Sequence, residues 1–421
     1  MTILCKLTLC CLIVVSIAAC SPVSTPDLTP PLPSRSPTMT PVLSSEPSLP
    51  SLTRMPGCTV QTRRTATDPA VESLLPSVSD KDWLKGADDA YVTIIEYSDF
   101  QSPGSAAIVP ILERLQAKYP QDVRLAYRHF PLSNHDKAAL AVQAAEAAGR
   151  QGKFWELHEI LFERQEEWAA LPVDQFRDWI EKRAAELQLE AGKFKEDMNS
   201  QTLKTFAEEA FERNSAIGMP GTPFLVVNGV PYNAPLDYPS LEATVALILM
   251  EKRQFSECPP ITVEPAKQYI AVLHTEKGDI ELELFADKAP LAVSSFIFLA
   301  RNNWFDGVTF HRVLPDFVAQ AGDPSGTGYG GPGYAFDNEI VPELTFDRPG
   351  VLAMANAGAG SNGSQFFITY AAVPRLNGGY TIFGRLISGM EVLKKLTARD
   401  PSVSMDLEPG DAILDVEIIE K

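Results

Sequence analysis

Residues 310–323, FHRVLPDFVAQAGD, are the stretch of this chain that decides how the rest is interpreted. Apolar residues alternate with other side chains here, as they do in a half-buried β-strand. Arg312 and Gln320 stand eight residues apart within the stretch. It contains no metal-ligand spacing, no nucleophile–base pair and no phosphate-binding loop. The stretch therefore offers one cation and one amide among apolar side chains.

Three downstream segments complete a pattern with this stretch. They are MANA at 354–357, QFFIT at 365–369 and LNGGYTIFG at 376–384. In this order the four segments resemble the cyclophilin family of peptidyl-prolyl isomerases, over residues 266–421. The resemblance implies an all-β, closed antiparallel barrel of eight strands, with two helices near Ala289–Arg301 and Met390–Thr397.

The activity that the resemblance implies is cis–trans isomerisation of X–Pro bonds by a peptidylprolyl isomerase. Rotation about such an amide is resisted by roughly 18–20 kcal/mol, because the nitrogen lone pair is delocalised into the carbonyl. No covalent bond has to break, so the enzyme must favour the twisted amide over either planar form. An apolar slot, a donor facing the nitrogen and groups that hold the flanking peptide suffice. No cofactor is expected.

The resemblance also assigns roles to single residues. Arg312 would supply the donor, because its guanidinium stays protonated and is rigid. Gln320 would hold the substrate carbonyl and orient Arg312, and Phe317 and Phe367 complete the predicted catalytic set. The predicted substrate-binding residues are Val318, Leu376 and Tyr380 in the proline pocket, Ala355, Asn356 and Ala357 along the substrate backbone, and Gln365 and Gly328 at the border of the groove.

Each of these residues alone has an ordinary structural explanation. Phe317 and Phe367 would be core aromatics, Arg312 a surface cation and Asn356 a turn residue. Only their joint order favours the isomerase over the alternative, a non-catalytic scaffold or chaperone that binds proline-containing peptides.

The chain departs from the family pattern at three pocket positions. Arg375 stands where many members have tryptophan, Tyr380 replaces a frequent histidine and Val318 a frequent methionine. These changes alter side chains of the pocket wall but leave the predicted donor, Arg312, in place. We therefore expect catalysis to be retained.

The first residues of the chain predict export. Residues 1–19 combine one lysine, a short apolar run and small residues, which is typical of a signal peptide. Ile17-Ala18-Ala19-Cys20 resembles a bacterial lipobox, with Cys20 as the acylated residue, although an ordinary cleaved signal remains the alternative. Residues 20–56 are rich in proline, serine and threonine and predict a disordered tether. The predicted location is the outer face of the bacterial cell membrane.

Residues 57–258 are predicted to form an α/β domain. Strands are expected at Tyr91–Tyr97, Val123–Phe130 and Phe224–Asn228, with several helices between the second and third. Further helices are expected at about Ala106–Tyr119 and Pro239–Arg253. This order resembles the thioredoxin fold of the DsbA-like oxidoreductases, with a helical insertion.

The redox motif of that family is absent. Ser102 and Ser105 occupy the positions of its two cysteines, and a hydroxyl cannot exchange with a disulfide. Pro223 in Gly221-Thr222-Pro223 matches the cis-proline of the family, which exposes an edge for a peptide strand. We hypothesise that the domain binds extended polypeptide without chemistry, or serves as a spacer.

Two cysteines, Cys58 and Cys258, remain after Cys20 and the predicted signal are excluded. Because they bracket the middle domain, we expect a disulfide that joins its two ends, followed by a linker at 259–265. The net charge of −18 argues against nucleic-acid binding. The histidines show no ligand spacing, so no metal is expected. The expected partners are proline-containing polypeptides, and the expected state is a monomer.

Overall fold

The computed structural model describes residues 55–61, 75–403 and 408–421. The predicted signal peptide, Cys20 and nearly all of the predicted tether lie outside these described residues. None of the described helices is long and apolar enough to span a membrane.

Strands and helices alternate in the first half of the described chain, and strands dominate the second. The strands are β1 (Cys58–Val60), β2 (Trp83–Lys85), β3 (Val92–Ser98), β4 (Val123–His129), β5 (Phe224–Val227), β6 (Val230–Pro231), β7 (Tyr269–Thr275), β8 (Gly278–Leu284), β9 (Arg312–Leu314), β10 (Val318–Ala321), β11 (Tyr334–Phe336), β12 (Val351–Met354), β13 (Phe366–Thr369), β14 (Ile382–Ser388) and β15 (Ile413–Glu420). The helices are α1 (Pro103–Lys118), α2 (Ala138–Gly149), α3 (Phe154–Glu163), α4 (Gln165–Trp168), α5 (Val173–Glu186), α6 (Ala191–Met198), α7 (Gln201–Ala216), α8 (Tyr238–Met250), α9 (Pro290–Arg301) and α10 (Met390–Leu393).

The first domain is built on a five-stranded mixed sheet in the order β2-β4-β3-β5-β6. The central strands β3 and β4 run parallel, and β5 runs antiparallel to β3. All residues of β3 except Thr93 are buried. The strand is therefore covered on both faces, which is why its sequence is an almost continuous apolar run. The helices α2 to α7 fill the stretch between β4 and β5.

The second domain is an eight-stranded antiparallel sheet in the order β15-β7-β8-β14-β12-β13-β10-β9. The sheet curls around a core that contains the aromatic rings of Phe296, Phe305, Phe366 and Phe383. The predicted closed barrel is wrong, because the two edge strands β15 and β9 do not pair with each other. The second predicted helix, near Met390–Thr397, is also shorter than expected and ends at Leu393.

A loop occupies the edge where closure would take place. The main-chain N–H of Val313 in β9 donates to the carbonyl of Arg399 at 2.8 Å, and the N–H of Arg399 donates back at 2.9 Å. Since β9 has only three residues, this pair of hydrogen bonds occupies the edge of β9 that no other strand covers. The sheet therefore ends as an open half-barrel, with its edge protected by the loop.

The segment around Cys58 belongs to the second domain and not to the first. The strand β1 pairs antiparallel with β11, and Met55 is buried in the core of the second domain. The sulfur atoms of Cys58 and Cys258 lie 2.14 Å apart, and both cysteines pack against that same core. The pair therefore does not join the two ends of the middle domain, as the sequence led us to expect. The pair holds two chain segments against the second domain.

The connection between the domains is packed, although residues 259–265 were expected to be a linker. Leu247 and Met250 of α8 contact the core of the second domain, as do Phe255, Ile261 and Val263. The ring of Phe255 lies 4.8 Å from that of Phe298 and 6.0 Å from that of Trp304. The apolar residues of the connection thus bury surface that a free linker would expose.

We predict that Phe255→Ala destabilises the second domain. The ring is partly buried, so the loss should be about 2–3 kcal/mol in the free energy of unfolding, below the range for a fully buried phenylalanine. Urea denaturation followed by tryptophan fluorescence would measure it. Tyr329→Ala is the control, because Tyr329 is 86% exposed and its removal should cost less than about 0.5 kcal/mol. Equal effects of the two substitutions would contradict a packed connection.

A carboxyl group is buried in the sheet of the first domain. Glu96 lies in β3 opposite Tyr127 of β4, and its Oε1 has no hydrogen-bond partner among the described residues. Burial is the main cause that raises the pKa of Glu96 to about 7, the nearby Ser98 side chain opposes the shift, and the charge of Glu113 adds to it. Below that pH the carboxyl is neutral, which is the form that an apolar interior accepts.

We predict that Glu96→Gln changes how the stability of the first domain depends on pH. Since the pKa in the folded state is raised, the contribution of Glu96 is fully present below its ordinary pKa of 4.5 and is lost as pH rises through about 7. The variant should therefore gain up to about 3 kcal/mol relative to the wild type between pH 4.5 and pH 8. Urea denaturation at several pH values measures this gain. The exposed Glu209→Gln is the control, and equal pH profiles for the wild type and Glu96→Gln would contradict the prediction.

Candidate active site

Three neighbouring strands bring the principal predicted residues side by side. In the antiparallel pair of β9 and β10, Gln320 lies directly opposite Arg312. In the pair of β10 and β13, Gln320 lies directly opposite Phe367. Directly opposed residues point to the same face of a sheet. The guanidinium, the amide and the phenyl ring therefore form one row across three strands.

A tight turn produces the spacing of eight residues between Arg312 and Gln320. The N–H of Phe317 donates to the carbonyl of Leu314 at 3.0 Å, which closes the turn. Asp316 adopts a positive φ of 65°, a conformation that aspartate tolerates better than most residues. The turn aligns the two strands so that residues 312 and 320 become partners.

A cavity of about 110 Å³ opens beside this row. Its lining contains nine of the predicted site residues: Arg312, Phe317, Val318, Gln320, Ala355, Asn356, Phe367, Leu376 and Tyr380. The apolar members belong to one hydrophobic cluster, so the floor of the cavity is apolar and its rim is polar. An apolar floor of this kind is suited to a proline ring.

Phe346 supports the cavity from behind and was missed by the sequence analysis. It is fully buried, and its ring stacks on that of Phe367 at 5.8 Å. The ring of Tyr380 meets that of Phe367 edge to face at 5.5 Å. These contacts hold the wall of the cavity in place. Phe346 lies outside the recognised segments, so no sequence signal pointed to it.

Gln365 does not line the cavity but holds Gln320. Its Nε2 donates to the carbonyls of Gly328 and Gly330, both at 2.9 Å. Because carbonyls only accept, this end of Gln365 is the NH₂, and its Oε1 must accept the 2.9 Å hydrogen bond from Nε2 of Gln320. One N–H of Gln320 is thereby used, and its Oε1 is left to accept a hydrogen bond at the cavity.

The buried carboxylate of Asp323 organises the glycine-rich loop at residues 326–333, which anchors Gln365. Its Oδ2 accepts hydrogen bonds from the N–H of Gly328 at 2.7 Å and of Gly330 at 3.0 Å. Gly328 itself borders the site through its carbonyl and does not line the cavity. The N–H of Phe255 in the domain connection donates to the carbonyl of Pro332 in the same loop. The loop therefore contacts both the site and the connection.

The backbone at 355–357 is only partly available to a substrate. The N–H of Ala355 donates to the carbonyl of Gln365, and the N–H of Ala357 donates to Oγ of Ser361. In the described part of the chain, the N–H of Asn356 has no acceptor. Its side-chain Nδ2 donates to the carbonyl of Gly379 at 3.1 Å. Of the three residues predicted to bind the substrate backbone, Asn356 is the one whose N–H remains free, and Ala357 lies outside the cavity.

His311 precedes the arginine in the chain and lies in the interior of the domain. The side chain is buried, and neither ring nitrogen has a partner among the described residues. Burial lowers the pKa of His311 to about 4, with Asp323 opposing the shift and Arg399 and Arg312 adding to it. The imidazole is therefore neutral near neutral pH and serves as packing behind Arg312.

The first domain brings its predicted residues together at the start of α1. Ser102 caps the helix, since its Oγ accepts from the N–H of Ser105 at 3.4 Å and donates to the carbonyl of Thr222 at 3.3 Å. The Thr222–Pro223 peptide bond is cis. Both serines are buried, and no histidine bonds to either of them within the described residues. The arrangement caps a helix beside a cis-proline and contains no nucleophile–base pair.

Comparison with known proteins gives a family match for each of the two domains. The family model described as "Cyclophilin type peptidyl-prolyl cis-trans isomerase/CLD" matches residues 270–418, and a model described as "Thioredoxin" matches residues 79–246. A probable peptidyl-prolyl cis-trans isomerase A of Mycobacterium bovis is 47% identical over 147 residues, which cover 31% of this chain and 81% of that protein. A peptidyl-prolyl cis-trans isomerase of Schizosaccharomyces pombe is 48% identical over 141 residues, which cover 32% of this chain and 91% of that protein.

A solved structure also matches. The cyclophilin-type peptidyl-prolyl cis-trans isomerase of Cryptosporidium parvum is 38% identical, with 37% of this chain and 99% of that chain covered and a TM-score of 0.34. The identity and coverage of the two curated relatives decide the assignment. The chain carries a thioredoxin-like domain and belongs to the cyclophilin-type peptidyl-prolyl cis-trans isomerases, so it is an enzyme that isomerises prolyl peptide bonds.

Proposed function

We propose that this isomerase acts on X–Pro bonds of exported or surface polypeptides, with Arg312 as the donor to the prolyl nitrogen. The observation that carries the proposal is the row of Arg312, Gln320 and Phe367 across β9, β10 and β13, beside an apolar cavity. The row combines the three groups that a twisted prolyl amide requires. They are a fixed cation, a hydrogen-bonding amide and an apolar surface.

The mechanism follows from the electronic change on twisting. When the amide leaves its plane, the lone pair is localised on nitrogen and becomes a hydrogen-bond acceptor. The guanidinium of Arg312 can donate to that lone pair, and it gains nothing comparable from the planar amide. Such a difference between the twisted and planar forms lowers the barrier. The Oε1 of Gln320, oriented by Gln365, is available to accept from the guanidinium and to keep it facing the cavity.

The apolar side chains fix the proline. Phe367 and Leu376 lie on the cavity surface, and Phe346 and Tyr380 hold the ring of Phe367 in its position. A proline ring held against these side chains stays still while the preceding carbonyl turns. The N–H of Asn356, which has no acceptor in the described structure, would bind the substrate backbone. Prepositioning of this kind is a large part of catalysis when no bond is broken.

We predict that Arg312→Ala lowers kcat/KM by about two orders of magnitude, the usual effect of removing one preorganised donor. A protease-coupled assay with a proline-containing peptide measures the rate. Arg301→Ala, at the exposed end of α9, is the matched control and should keep the wild-type rate. If Arg312→Ala isomerised as fast as the wild type, the assigned donor would be wrong.

The thioredoxin-like domain is proposed to bind extended polypeptide without thiol chemistry. Support comes from the cis Thr222–Pro223 bond next to the start of α1 and from the two serines at the motif positions. In the resembled family the cis-proline exposes an edge for a peptide strand. A second binding site on the same chain would raise the local concentration of substrate at the isomerase site.

We predict that Pro103→Trp weakens the binding of a denatured protein to the full chain. Pro103 is exposed at the first position of α1, beside Ser102 and the cis-proline, so an indole there would block the edge. Fluorescence anisotropy with a labelled, reduced and alkylated protein measures the affinity, in an Arg312→Ala background in which turnover is slow. Ala117→Trp, exposed at the other end of the same helix and about 21 Å away, is the control. Equal affinity for both variants would favour a spacer role.

Export and lipid anchoring remain part of the proposal. The lipobox-like sequence before Cys20 and the tether that follows support a location outside the cytoplasm, anchored to the outer face of the membrane. The pair Cys58–Cys258 supports the same location, because disulfides persist in oxidising compartments.

A further inference from the structure

Two arginines face the same ring at the mouth of the cavity. The guanidinium carbon of Arg312 lies 5.7 Å from the centre of the ring of Phe317, and that of Arg375 lies 4.5 Å from it. Phe317 lines the cavity. The aromatic ring can attract both cations, but it neutralises neither of them.

Neither arginine has an acidic partner among the described residues. Other arginines of the chain do, such as Arg301 with Glu420 and Arg385 with Glu283. Some other described arginines, such as Arg114, also lack an ion pair, but Arg312 and Arg375 are the two that face the ring of Phe317. Two guanidiniums without an acidic partner in the described structure therefore lie within 5.7 Å of one ring that lines the cavity.

Neither Asp400 nor Asp316 forms an ion pair with either arginine in the described structure. Hydrogen bonds from Ser402 are the main cause that lowers the pKa of Asp400. The charge of Arg312 adds a smaller effect in the same direction. Oδ1 of Asp400 accepts from the Oγ of Ser402 at 2.6 Å and from its N–H at 3.0 Å. Asp316, on the turn between β9 and β10, is exposed and forms no ion pair in the described structure.

The backbone that carries Arg375 is held firmly at the rim. Arg375 lies in the short 3-10 helix Pro374–Leu376, whose last residue lines the cavity. The N–H of Val373 donates to the carbonyl of Phe346 at 2.8 Å, and Oδ1 of Asn377 accepts from the N–H of Phe346. The 3-10 helix is thus fixed on both sides to the residue behind the cavity. Its exposed arginine side chain reaches over Phe317 from a fixed base.

We infer that Arg375 is a specificity-determining residue that favours substrates with an aspartate or glutamate close to the isomerised proline. This inference rests on the proposed function of the cavity. A proline ring in the cavity brings the flanking residues of the substrate to the rim, within reach of Arg375. A carboxylate there pairs with the free guanidinium, whereas a lysine is repelled by both arginines. Arg312 faces the reacting amide and Arg375 faces the flanking residue.

The test compares blocked peptides that carry Glu, Gln or Lys at each of the two positions on either side of proline. Exchange rates from NMR give kcat/KM without a coupling protease, whose own charge preference would interfere. An exposed ion pair changes a rate or affinity by about 1.4- to 5-fold. The full-length wild type should therefore prefer Glu over Gln by about that factor at one flanking position, and Lys should be the poorest substrate.

The variants identify the residue responsible. Arg375→Gln should abolish the preference and leave the rate of the Gln peptide within about twofold of wild type, since only charge is removed. Arg375→Glu should reverse the preference. Arg301→Gln, on the far side of the domain, should leave it intact. Raising the salt concentration should weaken the preference in the wild type, because exposed charges are screened.

Three results would overturn the inference. They are equal preferences in the wild type and Arg375→Gln, no preference in the wild type, and an equal loss for all peptides in Arg375→Gln, which would make Arg375 a structural support of the rim. Peptide binding measured by NMR titration separates this inference from the proposed catalytic site. A charge preference in binding without turnover would refute the catalytic assignment and retain the role of Arg375.

Discussion

The antiparallel register of β9, β10 and β13 is the constraint on which the active site depends. It places Gln320 opposite both Arg312 and Phe367, so two residues from one hairpin and a third from a distant strand meet on one face. A slip of one residue in any of these strands would turn its side chain to the opposite face of the sheet. The turn at Asp316 and the packing of Phe367 against buried Phe346 oppose such a slip. The register is therefore stabilised both locally and through the core.

A series of hydrogen bonds fixes the side chain of Gln320 at the cavity. Asp323 holds the glycine-rich loop, the loop carbonyls orient the amide of Gln365, and Gln365 orients Gln320. The amide of Gln365 has a partner at both ends in this series, and a satisfied polar network is rigid. The preorganised site then has little reorganisation left to do when the prolyl amide twists.

The two domains are joined by a hydrophobic contact and not by a free linker. The end of α8, Phe255 and the residues around Cys258 share the core of the isomerase domain, and β1 adds a strand to β11. Because Phe255 also bonds to the glycine-rich loop, the connection touches the same loop that orients Gln365.

Local patterns predicted most elements of the first domain, and the resemblance to a known family predicted most residues of the cavity lining. The apolar run of β3 and the start of α1 near Ser102 were expected within a few residues, since periodicity and capping are properties of neighbouring residues. Phe346 could not be expected, because a lone aromatic residue outside a motif gives no sign of what it will pack against. The same is true of Phe255 in the connection.

The sequence by itself determined the residue types of the site, the two domain families and the absence of thiols at 102 and 105. Tertiary structure alone decided that the barrel stays open, that Cys58 packs on the isomerase domain, and that Arg375 faces the ring of Phe317 without an acidic partner among the described residues. The reason is the range of the forces involved. Strand and helix preferences act between near neighbours, whereas edge pairing, burial and charge pairing depend on segments that meet only after the chain has folded.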